Sequence, residues 1–360
     1  MRAVVYRGVN DLRLETVPVP RIGANELLVK VAVCGVCPTD IKKIQHGTVT
    51  PPRIFGHETA GTIVKLGAGS GKRGFKIGDR VALHHHVPCL DCHFCRHRAF
   101  AQCETYKRTG ITAGFEPAGG GYAEFVRVMP FVLPGVVKIP ARNSFEEGAM
   151  LEPVNTVLKA VKRLNLLPGD SVLVAGQGPI GLMFTKILQL QGINVLASDM
   201  LEARLQLAKT FGAKWTELVR SPQSTAPRPQ TAVKRGPKTL DSAVIAVPAD
   251  AVVTQAVRLV RGGGQVLLFA HTKRAGQPQH SSAFSLDLAS ICLDEKDLIG
   301  SYSSDFTLQD EVARLVFSRR LDVRQLITHR FPLDETAAAV ALAARPKPDS
   351  LKIIVSVLRQ

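Results

Sequence analysis

Four cysteines, Cys89, Cys92, Cys95 and Cys103, follow the spacing Cys-x2-Cys-x2-Cys-x7-Cys. Such short separations let one loop fold four thiolates around a tetrahedral ion. Four protein ligands close the coordination sphere, so this site is expected to hold a lobe together rather than activate water. Buried free thiols would not favour clustered spacing, and a lone lobe shows no recognition helix for nucleic acid. A second set is dispersed: Cys34-Gly35-Val36-Cys37-Pro38-Thr39-Asp40, then His57-Glu58, then Leu151-Glu152-Pro153. A thiolate, an imidazole and a carboxylate from separate segments suit a catalytic zinc with one position left open. The third set is Gly176-Gln177-Gly178-Pro179-Ile180-Gly181. Its glycines permit a tight turn and close backbone approach, so a pyrophosphate can rest on the positive end of the following helix.

Each set needs elements to position it. The first hundred and fifty residues read as short Val- and Ile-rich strands, such as Glu26 to Val33 and Gly61 to Lys65, between Gly and Pro turns. From about residue 155 helix and strand alternate. A helix at Val157 to Leu164 and the buried strand Val172 to Ala175 precede the glycine motif, and a helix through Leu182 to Leu190 follows it. Further strands are read at Asn194 to Ser198, Ser242 to Val247 and Gln265 to Phe269. That βαβ pattern predicts a doubly wound parallel sheet. Asp199 ends the strand after the motif, eighteen residues past Gly181, where an acid accepts hydrogen bonds from ribose hydroxyls and repels a 2′-phosphate. NAD is therefore expected over NADP, with Arg204 five residues later able to soften the preference.

The chain has 360 residues, enough for two domains. The expected division is 1–154 with 299–360, carrying the zinc lobe 89–103, and 155–298. The second part of the first domain comprises the Ser301 to Asp305 loop, a helix from Leu308 to Ser318 and a final strand from Leu351 to Val357. Apolar residues make up 45% of the chain, yet no run is long enough to span a bilayer and the start lacks a signal-peptide core. No membrane partner and a cytoplasmic location are expected. Six of the seven cysteines fall between residues 34 and 103, favouring metal or reduced thiol over a disulfide framework. The net charge of +16 is mostly scattered, so nucleic acid is not expected as a partner. Leu218 to Leu240, with four prolines, five basic residues and no acid, reads as a flexible surface loop replacing a helix. His84, His85, His86, His93 and His97 are assigned no role.

On these three sets, over essentially its whole length, the chain resembles the zinc-containing medium-chain dehydrogenases, particularly the branch with polyol and threonine dehydrogenases. The resemblance implies a GroES-like β-rich catalytic domain joined to a Rossmann domain. It implies a homodimer or homotetramer, for which Leu286 to Gly300 offers an edge strand. It also implies hydride transfer between NAD and a secondary alcohol, polyol or amino alcohol, with one catalytic and one structural zinc.

By the same resemblance, Cys37 and His57 are zinc ligands, and Glu58, Glu152 or a water held by Glu152 completes the set. Thr39 hydrogen-bonds the substrate oxygen and passes its proton outward. Asp40 orients His57 and fixes its tautomer. Many relatives place a histidine three residues past the hydroxyl as the next proton carrier; here Lys42 stands there, and serves only with a depressed pKa. Two alternatives are weighed: a zinc-free enone or quinone reductase on the same fold, which usually lacks both cysteine sets, and a non-catalytic basic binding protein.

Overall fold

The computed structural model describes residues 1–84, 87–109, 118–220, 236–237, 239–270 and 286–357. They form two compact units, Met1–Thr156 with Ser303–Gln360, and Val157–Tyr302.

The first unit is built on a seven-stranded mixed sheet. Its strands run in the order Ile327–Pro332, Lys352–Ser356, Leu27–Gly35, Glu58–Leu66, Arg80–Leu83 and Val137–Lys138, and Phe125–Val128 also pairs with Leu27–Gly35. Strand Lys352–Ser356 lies antiparallel to Leu27–Gly35, with Ile354 opposite Gly35. On the other side of the same strand, Gly35 faces Glu58. A hairpin of Arg2–Gly8 and Asp11–Thr16 packs into the same core, where Val4, Tyr6, Leu27, Val29, Ile54 and Ile63 are buried.

The second unit holds six parallel strands: Ser171–Ala175, Asn194–Asp199, Trp215–Leu218, Leu240–Ile245, Val260–Leu268 and Asp297–Gly300. Counted along the chain, their spatial order is 3-2-1-4-5-6, the doubly wound arrangement of a Rossmann sheet. Helices Pro179–Leu190, Glu202–Thr210 and Asp250–Leu259 make the crossovers described. Strands such as Ser171–Ala175 are buried on nearly every residue, as a sheet covered on both faces requires.

Two differences from the sequence reading have local causes. The helix expected from Val157 runs from Leu151 to Val161. Pro153 sits in its first turn, where a missing N–H costs nothing, so the Glu-Pro pair opens a helix instead of breaking one. Strand Trp215–Leu218 was not expected; it is only four residues long and none is fully buried, so it carries no apolar run. Of the basic Pro-rich stretch, residues 221–235 and 238 lie outside the described residues, as do His85 and His86. No helix among the described residues is long and apolar enough to cross a membrane.

Candidate functional site

Strand Leu27–Gly35 ends just before Cys37, which takes an extended conformation (φ −106°, ψ 138°) at the N-cap of helix Pro38–His46. Pro38 at the first helical position presets the turn. The Cys37 carbonyl accepts the amides of Asp40 and Ile41, at 3.1 and 3.2 Å. Its thiol makes no capping bond and is left for other partners. Asp40 is fully buried in the first turn. One of its oxygens lies 3.2 Å from Nδ1 of His57, and the other accepts the Gly56 amide at 3.2 Å. Nδ1 is thereby engaged, which turns the other ring nitrogen to a different task.

Cys37, His57 and Glu58 bring one ligand atom each to within 4.8 Å of one another. Sulfur, imidazole nitrogen and carboxylate oxygen together form a donor set that zinc accepts, and three donors leave a fourth position for substrate. The electrostatics agree. Burial disfavours an imidazolium at His57, but Asp40 and Cys37 outweigh it and push its pKa well above the ordinary value. A buried place that attracts a proton this strongly attracts a metal cation for the same reason. Burial also opposes ionisation of Asp40, yet His57 and then Lys43 hold its carboxyl below the usual range.

Glu152, in the first turn of its helix, lies outside that group of three. Burial pushes its carboxyl up to about 7, with His57 pulling down and Glu58 pushing up. Thr39 is half-buried beside Cys37. Lys42 follows one turn later on the same helix face, and burial lowers its pKa.

The four-cysteine lobe is compact. Sγ of Cys95 lies 3.5 Å from that of Cys92 and 3.9 Å from that of Cys89. A tetrahedron of metal–sulfur bonds of about 2.3 Å has edges of about 3.8 Å, whereas a disulfide needs about 2.05 Å. Backbone amides of Asp91 and Cys92 pull the Cys89 thiol down to about 6, while burial pushes Cys95 up to about 12. Amides aimed at sulfur favour thiolate, the form a metal requires.

In the second unit, Gly176 turns the chain at φ +93°. A Cβ on Gly181 would overlap the Gly176 carbonyl, so helix and turn close only with glycine there. Gly178 differs: a Cβ would meet nothing within 4 Å. It caps helix Pro179–Leu190, with Pro179 and Ile180 opening the first turn, and presents bare backbone toward open space at the positive helix end. That fits a pyrophosphate. Asp199 accepts the Gln177 amide at 2.6 Å and the Leu201 amide at 2.9 Å, which fixes its carboxylate beside the turn. Arg204 lies 3.9 Å from the same carboxylate and is half-buried rather than free on the surface.

Comparison with known proteins bears on the family and the fold. The alcohol dehydrogenase GroES-like domain matches residues 23–141, and the zinc-binding dehydrogenase domain matches residues 179–318. A sorbitol dehydrogenase of Bombyx mori is 28% identical over 99% of this chain and 98% of its own length. A protein of Aspergillus fumigatus named Probable D-xylulose reductase A is 30% identical, covering 90% of this chain and 88% of its own. The chain belongs to the zinc-dependent medium-chain dehydrogenases. An alcohol dehydrogenase from Thermus sp. ATN1 shares the fold across 99% of this chain and 100% of its own, with TM-score 0.81 and 27% identity.

One residue of this medium-chain dehydrogenase escaped the sequence reading. Lys352, at the start of its strand, is buried, donates to the Val36 carbonyl at 3.0 Å and pairs with the Glu58 carboxylate. Burial works against its ammonium, but Glu58 and Cys37 outweigh that and hold its pKa above the ordinary value. A signal was present: a single lysine inside the otherwise apolar run Leu351 to Val355.

Proposed function

We propose that the chain transfers hydride reversibly between NAD and the carbinol carbon of a polyol or other secondary alcohol. The observation that carries this reading is the convergence of Cys37, His57 and Glu58, with Asp40 behind the histidine. In this reading Cys37, His57 and Glu58 hold a catalytic zinc, and Glu152 stands by as an acid that can hold water or exchange. Cys89, Cys92, Cys95 and Cys103 hold a structural one. The unit 1–156 with 303–360 is then the catalytic domain, and 157–302 binds NAD.

A bound zinc supplies Lewis-acid polarisation that weakens the hold of a substrate hydroxyl on its proton. The rest falls to the chain. Asp40 keeps His57 in one tautomer and orientation. Thr39 hydrogen-bonds the substrate hydroxyl and takes its proton outward toward Lys42, whose lowered pKa suits it to relay a proton. Bound NAD would supply the acceptor for the hydride that the carbinol carbon gives up on becoming a carbonyl, and Gly176, Gly178, Gly181 and Asp199 would hold it. Gly178 admits the pyrophosphate to the helix end, and Asp199 receives the ribose hydroxyls that a 2′-phosphate would crowd.

A relative's substrate does not carry over by name, but the carbinol class does by chemistry. Both the zinc-free reductase and the non-catalytic reading leave the Cys37 set and the cysteine lobe without purpose. We further propose a homo-oligomer. Among the described residues, strand Asp297–Gly300 ends its sheet with one edge unpaired; Leu298 within it is exposed, as are Leu288 and Leu293 in the helix that precedes it in sequence. Seven unpaired cysteines suit a reducing compartment such as the cytoplasm.

The test is nicotinamide reduction across simple alcohols, polyols, L-threonine and sugar-alcohol phosphates, with NAD and NADP in parallel and a chelator control. Chelator-sensitive NAD reduction by one class supports the proposal. Silence across the panel from zinc-loaded, NAD-binding protein overturns it.

A further inference from the structure

Lys352 and Glu58 belong to strands that do not touch. Leu27–Gly35 lies between them, and the pair reaches across its last residue, Gly35. Glu58 is directly opposite Gly35 on one side, and Lys352 is two residues before Ile354, which is opposite Gly35 on the other. Residues two apart share a strand face, so both side chains converge over the same glycine. That glycine is needed for space and not for a left-handed turn. A Cβ on Gly35 would overlap the Glu58 carboxylate and lie 3.0 Å from Cε of Lys352.

Both side chains are almost wholly buried, at 7% and 2% exposure. Taking an ammonium and a carboxylate out of water costs more than their attraction returns unless the geometry is excellent, and an apolar pair is often as stable. Stability alone therefore does not account for a buried pair placed over a backbone cleared for it. Its carboxylate member is the one whose ligand atom meets Cys37 and His57.

Building on the metal site proposed above, we infer that Lys352 is a positioning residue that reaches over Gly35 to aim the Glu58 carboxylate at the zinc held by Cys37 and His57. The Val36 carbonyl, one residue from Cys37, accepts from the same ammonium at 3.0 Å. One lysine thus ties the carboxylate to the backbone that carries the thiolate, and the two ligands keep a fixed spacing. Loss of such an outer partner commonly weakens metal binding ten- to a hundredfold. A pure charge effect runs the other way, because deleting a cation beside a metal ion tightens its binding.

The experiment measures zinc retention by the full chain against graded chelator, and the visible spectrum of the cobalt-exchanged protein. The variants are Lys352→Met, Lys352→Arg, Glu58→Gln and the combination Glu58→Gln with Lys352→Met. Expected are at least tenfold weaker retention of the Cys37-dependent metal and altered cobalt bands in Lys352→Met, recovery in Lys352→Arg, and no further loss from Lys352→Met once Glu58 is glutamine. Unchanged or tighter metal in a folded Lys352→Met protein overturns the inference, as does equal loss in the Glu58→Gln background. Should Lys352→Met alone not fold, the combination, which removes both charges, decides: retention equal to that of Glu58→Gln supports the inference, and weaker retention overturns it. A zinc content insensitive to Cys37→Ala would instead overturn the underlying metal assignment.

Discussion

A carboxylate oxygen of Asp40 lies 3.2 Å from Nδ1 of His57, and both side chains are buried. The second oxygen is held by the Gly56 amide, so the carboxylate cannot swing away from the ring. Asp40→Ala removes the acceptor that selects the histidine tautomer. Zinc affinity at the Cys37 site is expected to fall about ten- to a hundredfold. Chelator competition measures this, and unaltered retention would remove the orienting role.

The two cysteine sets predict opposite failures. Cys37→Ala or His57→Ala should abolish turnover, lose one zinc per chain and leave the circular dichroism spectrum intact. Cys95→Ala should lose the other zinc and lower the melting temperature, because among the described residues the lobe's apolar cluster buries only Cys95, Cys103 and Tyr106. Metal analysis with thermal melts separates them. A fully active His57→Ala protein would refute the catalytic assignment.

Coenzyme choice rests on Asp199, whose carboxylate is already fixed by the Gln177 and Leu201 amides. Asp199→Asn keeps the shape but removes the charge that repels a 2′-phosphate, with Arg204 close by to receive one. The kcat/KM for NAD is expected to fall about tenfold, a loss of roughly 1.4 kcal/mol, and the NADP to NAD ratio to rise by more. Initial rates with both coenzymes decide, and an unchanged ratio would take the ribose role from Asp199.

How much of this was legible in the sequence depended on sequence distance. The four cysteines and the glycine turn are local, so spacing alone proposes their geometry. Gly178, open to a phosphate, and Gly181, closed against Gly176, even divide the labour that the motif implies. His57 and Glu58 adjoin each other but meet Cys37 only through the pairing of Leu27–Gly35 with Glu58–Leu66. The motif supplied candidates there, not an arrangement. Between Glu58 and Glu152 sequence had no means to choose, because each sits in a motif of its own and only packing sets its separation from the thiol. Lys352 left one local trace, a lone lysine in an apolar run, but its partner Val36 is 316 residues away, joined through strand pairing that no local pattern encodes.

Acid stability should report on His84. Burial pushes this imidazole down to about 4, against a weaker pull from Asp305, and its Nε2 lies 3.4 Å from the Ser304 hydroxyl. Unfolded, the ring titrates near 6.5. Between those values the unfolded chain binds more protons, so the contribution is complete above pH about 6.5 and is lost as pH falls toward 4, up to about 3 kcal/mol. Metal loss from the thiolates also destabilises at acid pH, so the informative quantity is the difference between wild type and His84→Gln. Urea midpoints of the variant should fall less steeply from pH 6.5 to 4.5, and parallel curves would show that His84 does not titrate in this range.

The edge at Asp297–Gly300, unpaired among the described residues, predicts an assembly and its weak point. An edge strand with exposed Leu298 is an aggregation hazard unless something covers it. A second copy related by a twofold axis would lay the same strand alongside, so each substitution acts twice at one interface. A charge there must be desolvated in both copies. Leu298→Lys is therefore expected to raise the dissociation constant at least a hundredfold, the square of a tenfold cost per copy, while leaving NAD binding unchanged. Sedimentation velocity across a concentration series measures it. A wild-type monomer at all concentrations would remove the interface, and an oligomer indifferent to Leu298→Lys would move it to another surface.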